Sequence, residues 1–192
     1  MKLYYLLLIL FVLVESSQSN VIQSQKPINQ TCLNYGLAHD CRFYQCFNER
    51  FPCNSNNWVL NWGYKYCHRM EQTVSSFDAN GQQLMKQVAS CLIKKLLQQH
   101  FYTYRSIDCE QLRKAAQKLT HDCYLSNAKL FCTAIQGKNR DCFFQFIDDD
   151  DRHDLSLIRT LSHVGQKCTP KIRWTDMRSH EKTDQCLINK IV

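Results

Sequence analysis

The sequence predicts an all-α fold, a disulfide-stapled helical bundle followed by a flexible C-terminal tail. Three observations lead there. Twelve cysteines follow a start that reads as an export signal, and an even cysteine count in an oxidising compartment reads as bridges. Three segments repeat their apolar residues at helical spacing. Only five glycines and three prolines occur in 192 residues, which disfavours a turn-rich all-β chain.

The export signal comes first. Lys2 is a positive n-region, Leu3 to Val14 is an apolar run of twelve residues, and Glu15-Ser16-Ser17-Gln18-Ser19 is a polar, small-residue stretch. The pattern predicts a signal peptide over residues 1–19, cleaved after Ser19 or after Ser16. A spanning helix needs roughly 20 apolar residues, so an anchor is disfavoured, and no second run of that length follows. The expected product is secreted and extracellular, with no membrane span. All twelve cysteines lie in the mature part. Zinc would ask for CxxC-type or HxxxH-type spacing, and no CxxC occurs. The net charge of +7 is compatible with acidic partners such as sulfated glycans. No basic-aromatic motif points to nucleic acid.

Residues 20–31 are polar and without periodicity, a flexible N-terminal lead. They hold the sequon Asn29-Gln30-Thr31, so glycosylation is expected at Asn29. Residues 32–168 read as one disulfide-bonded helical domain. Its first part, 32–67, sets five cysteines among Phe43, Tyr44, Phe47, Phe51, Trp58, Trp62, Tyr64 and Tyr66. Short helices and turns stapled together, with aromatics packed around disulfides, fit it better than a carbohydrate site.

A helix is expected over 77–99, with Asp78 as N-cap and a stripe of Leu84, Val88, Cys91, Leu92 and Leu96. A second is expected over 108–125, capped by Ser106 or Asp108, with Gln111 in capping-box position. Cys109 and Cys123 lie on one side of it. Fourteen residues of helix rise about 21 Å, so these two must bond to other elements. A third helix is expected over 151–164, with Asp148 to Asp151 at its positive end and Gly165 as its stop. Thr169-Pro170 ends the domain, and 169–192 is the tail.

The chemistry-bearing candidates weigh against catalysis. His121-Asp122-Cys123-Tyr124 is similar to the HDxCY motif of secreted phospholipases A2, but the spacer residue and the glycine-rich calcium loop are missing. Without metal and oxyanion stabilisation a lone histidine cannot do that work. An EF-hand counted from Asp148 would need Gly at its sixth position and Glu at its twelfth; His153 and Arg159 stand there. Lys94, Lys95, Arg113, Lys114 and Lys118 could form a basic face across two helices, although solvated surface is the simpler reading. The expectation is no enzyme, no cofactor and no metal site.

The cysteine ladder resembles the stanniocalcin family of secreted glycoprotein hormones. Matching steps run from Cys32 to Cys41 to Cys46, from Cys67 to Cys91, and from Cys109 to Cys123. Their companions match as well: Leu33-Asn34, Phe43, Phe77-Asp78 with Gly81 and Lys86, and Tyr124. The resemblance implies the pairs Cys32–Cys46, Cys41–Cys67, Cys53–Cys109, Cys91–Cys123 and Cys132–Cys168. The segment between Cys46 and Cys67 is longer than in vertebrate members, and the family sequon near the third cysteine is absent. Cys142 is additional. Family members dimerise through a C-terminal cysteine, a role open to Cys186, which could equally pair with Cys142.

What the resemblance implies about function is calcium or phosphate regulation through a cell-surface receptor or an extracellular protein such as a secreted protease. The alternative is a secreted structural or defence-type binding module on the same scaffold.

Overall fold

The computed structural model describes residues 21–53, 58–136, 138–147 and 151–173. The expected signal peptide and most of the expected tail lie outside these residues. Among the described residues eight α-helices run in order: α1 (Gln30–Leu37), α2 (Arg42–Arg50), α3 (Lys65–Thr73), α4 (Ala79–Gln98), α5 (Cys109–Ser126), α6 (Ala128–Ala134), α7 (Lys138–Phe146) and α8 (Leu155–Gly165). A π-helical segment, Val59–Tyr64, leads into α3. Two short strands, β1 (Val21–Gln23) and β2 (Ser106–Asp108), pair antiparallel with Ile22 opposite Ile107. The fold is a disulfide-stapled helical one.

Local chemistry sets the long helices. The Asp78 side chain accepts from Gly81 N at 3.0 Å and starts α4. Asp108 closes β2 and caps α5, accepting from Glu110 N at 2.9 Å and Gln111 N at 3.0 Å. Leu84, Val88 and Leu96 of α4 are buried, as are Leu112, Ala116 and Leu119 of α5. α5 packs between α4 and α8.

Five bridges staple these elements: Cys32–Cys46, Cys41–Cys67, Cys53–Cys109, Cys91–Cys123 and Cys132–Cys168. They join the same pairs that the resemblance implies. Cα separations of 5.3 to 5.8 Å lie in the ordinary range for the bond. Bonds at Cys109 and Cys123 hold both ends of α5, one to the segment after α2 and the other to α4.

Two apolar clusters form the core. One gathers Phe43, Phe47, Phe51 and Tyr102 with Ile93 and Leu112. The three phenylalanines recur every four residues, so they share one face of α2 and its continuation. Phe43 and Phe47 meet edge-on at 6.0 Å, and each ring lies within 6.0 Å of Tyr102. The other cluster centres on Tyr124, Phe131 and Phe143, three mutually perpendicular rings with centroids 6.2 to 6.4 Å apart. Trp62 and Leu92 touch both clusters.

Three expectations need correction. The lead is not loose from residue 21 onward: β1 pairs with β2, and Gln25 N donates to Arg50 O at 2.8 Å. Backbone pairing, which leaves no periodic signal in three residues, decides that segment. The third helix begins at Leu155 rather than at 151. Asp154 is its cap, accepting from Leu157 N at 2.9 Å, and a 3-10 turn over Asp151–His153 precedes it. The domain also runs past Thr169, because Ile172 N donates to Gly165 O at 3.1 Å and Ile172 packs on the core.

Candidate recognition surface

Asn29 is exposed and is the N-cap of α1, its Oδ1 accepting from Thr31 N at 2.8 Å. The cap uses the amide oxygen, so the nitrogen that a glycan would modify is not part of it. The sequon therefore faces outward at a fixed helix start.

The basic face over α4 and α5 is interleaved with acid. Glu110 accepts from Arg113 at 2.8 and 2.6 Å, and Lys114 Nζ lies 3.6 Å from it. The bidentate Arg113 hydrogen bonds draw the Glu110 carboxyl down to about 2. Lys118 donates to Asp122 at 3.1 Å. Burial pushes the Asp122 carboxyl up, but hydrogen bonds from Lys118 and His121 and the charge of Lys95 outweigh it and lower it on balance. Lys94 is exposed. Arg113, Lys114 and Lys118 thus sit in short-range pairs along α5, a solvated ionic surface rather than a uniform positive stripe.

His121 has two neighbours: its Nδ1 lies 3.5 Å from Asp122 Oδ1, and a second histidine faces its other nitrogen. Its Nε2 lies 2.9 Å from Nδ1 of His163 on α8, and the two rings stack with centroids 5.1 Å apart. One nitrogen donates and the other accepts, so a single proton joins the two helices. Cys123 is bonded to Cys91 in the core and Tyr124 is buried, which leaves the HDCY stretch as part of a packed interface. Of the acid run, Asp148 to Asp150 lie outside the described residues. Asp151 accepts from Lys65 Nζ at 2.8 Å and from the Tyr66 hydroxyl. Among the described residues no group of three or more metal-binding side chains forms a cluster.

Cys142 is disulfide-bonded and fully buried. Its partner lies outside the described residues, as does Cys186. The five bridges above use ten of the twelve cysteines, all in the order of the ladder. The family model described as Stanniocalcin family matches residues 14–179. This chain belongs to the stanniocalcin family. The match spans the whole ladder from Cys32 to Cys168 and most of the chain. No curated protein and no solved structure matches it.

Two buried polar residues hold this stanniocalcin fold together and were not singled out in the sequence. Arg50, only 4% exposed, donates to Tyr102 O and Tyr104 O, each at 2.8 Å, and to Lys26 O. Asn139, 1% exposed, takes a bond from Asp78 N at 2.9 Å and returns one to Asp78 Oδ1 at 2.6 Å. Neither carries a local pattern; each is read only from what the fold brings to it.

Proposed function

We propose that this chain is a secreted stanniocalcin-like glycoprotein hormone that alters calcium or phosphate handling by binding a cell-surface receptor or another extracellular protein. The family match over residues 14–179 carries the reading. The bridges support it, because they suit an oxidising compartment and hold exposed helix faces rigid for recognition. No helix among the described residues is long and apolar enough to cross a membrane. The protein acts without catalysis, and its N-terminal sequon carries a glycan at Asn29.

The test uses full-length protein collected from the medium of secreting cells. Saturable binding to an epithelial monolayer, with a change in calcium or phosphate flux across it, is the expected result. Absence of saturable binding overturns the proposal. Binding without any change of flux overturns the hormone part and leaves the structural or defence-type module. Removal of N-glycans should raise gel mobility, and Asn29→Gln should abolish that shift. A heparin column tests the sulfated-glycan partner: the interleaved carboxylates lead us to expect elution at low salt.

A further inference from the structure

Where the two core clusters meet, the side chains leave a part-open apolar cavity of about 80 Å³. Trp58 walls it from just before the π-helical segment, Trp62 and Gly63 from within it, Met85 and Val88 from α4, and Phe146 from α7. Ordinary cores are packed close, with few voids larger than a water molecule, so a space of this size between core side chains calls for a cause.

The cause is local. A π-helical turn carries one more residue than an α-turn and sets its side chains out of the 3.6-residue register. Here it falls in the stretch between Cys46 and Cys67. Gly63 sits in that turn because a Cβ there would lie 2.5 Å from two atoms of the Tyr44 ring. The Tyr44 ring therefore lies close against the turn and forms part of the cavity wall, with Tyr124 of α5 also lining it.

Both tyrosines are buried, at 1% and 7% exposure, and neither hydroxyl has a hydrogen-bond partner among the described residues. Burial alone holds both phenols neutral, well above their ordinary range. Neither oxygen is among the fully sealed polar atoms that lack a partner, so each is open to a polar group entering the cavity. Two such hydroxyls on the wall of one apolar cavity make a site of the kind that binds small molecules: a mostly apolar lining with a few polar groups to fix orientation.

We infer that this cavity binds a small neutral amphiphile, an apolar ring or chain carrying one hydroxyl or carbonyl group that the Tyr44 and Tyr124 hydroxyls hold. A charged head group is disfavoured, because the described lining offers neutral hydroxyls and indoles but no charged side chain to pair with it. Lys65, at the Tyr66 edge, is already paired with Asp151. The inference does not depend on the hormone reading.

The neutral fluorophore dansylamide serves as probe with the full secreted chain. Saturable one-to-one binding is expected, with blue-shifted emission excited through Trp58 and Trp62. 1-Decanol should displace the probe and decanoate should not. Ala89→Phe, which fills the cavity from α4, should weaken binding at least about tenfold, and Tyr44→Phe or Tyr124→Phe about threefold to tenfold each. Far-UV circular dichroism and intact bridges certify each variant as folded, and the milder Ala89→Leu replaces Ala89→Phe if the latter misfolds. No saturable binding to the wild-type chain overturns the inference, as does unchanged binding in a folded Ala89 variant. Equal displacement by decanoate, or no loss in either phenylalanine variant, overturns the role given to the hydroxyls.

Discussion

At the scale of single residues, Arg50 joins three parts of the chain. Its guanidinium donates to carbonyls of Lys26, Tyr102 and Tyr104, and its own carbonyl accepts from Gln25. Lysine has one compact ammonium and cannot reproduce that fork. Arg50→Met, of similar length, leaves the three carbonyls without this donor in a buried setting and should cost roughly 3 kcal/mol. A lower urea midpoint at unchanged slope checks it. Glu110 gives a pH signature instead. Its carboxyl, held at about 2 by Arg113, titrates below the ordinary value of 4.5. A depressed acid stabilises the fold above its unfolded pKa, and that share is lost as pH falls from about 4.5 through about 2. Glu110→Gln should therefore flatten the stability profile in that window and leave its shape at higher pH unchanged.

At the scale of elements, the bridges differ in what they constrain. Cys53–Cys109 closes a loop of 56 residues and fixes the start of α5, whereas Cys32–Cys46 closes one of 14. Chain entropy alone gives about 4 kcal/mol for the first and about 3 for the second. The paired substitution Cys53→Ser with Cys109→Ser should thus destabilise more than Cys32→Ser with Cys46→Ser, as read by denaturant midpoints of the two double variants. Elements with a long stripe were legible in the sequence: α4 and α5 come within two residues of their expected bounds because Asp78 and Asp108 are caps and the apolar spacing is sustained. The two helices α6 and α7 were not, since seven and nine residues give barely two turns and their burial depends on Phe131 and Phe143 meeting Tyr124 across the chain. The π-helical segment escapes any 3.6-residue template, and with it the cavity. For the site the sequence showed the sequon and the cysteines, whose chemistry is local, but not the tyrosine hydroxyls, whose isolation is a property of the packed interior.

At the scale of the whole molecule, the open matter is how many chains one particle holds, and Cys142 decides it. Its sulfur is fully buried and already bonded, while ten other cysteines are joined within the chain. Cys186 is the remaining one of the twelve. A bond between Cys142 and Cys186 of the same chain would take from the C-terminal cysteine the role that links family members in pairs. A bond between chains would have to bring a neighbour's sulfur into the interior beneath α7, where Cys142 lies among Phe143, Phe131 and Val164 in the core. Burial favours the first, since a segment of the same chain reaches that position without a second domain being drawn against it. We predict that the secreted protein migrates as a monomer on a non-reducing gel, and that a peptide pair containing Cys142 and Cys186 is recovered after digestion without reduction. Cys142→Ser should then release the Cys186 thiol and allow a covalent dimer to form. A wild-type dimer that reduction separates would reverse the assignment and place the link between chains.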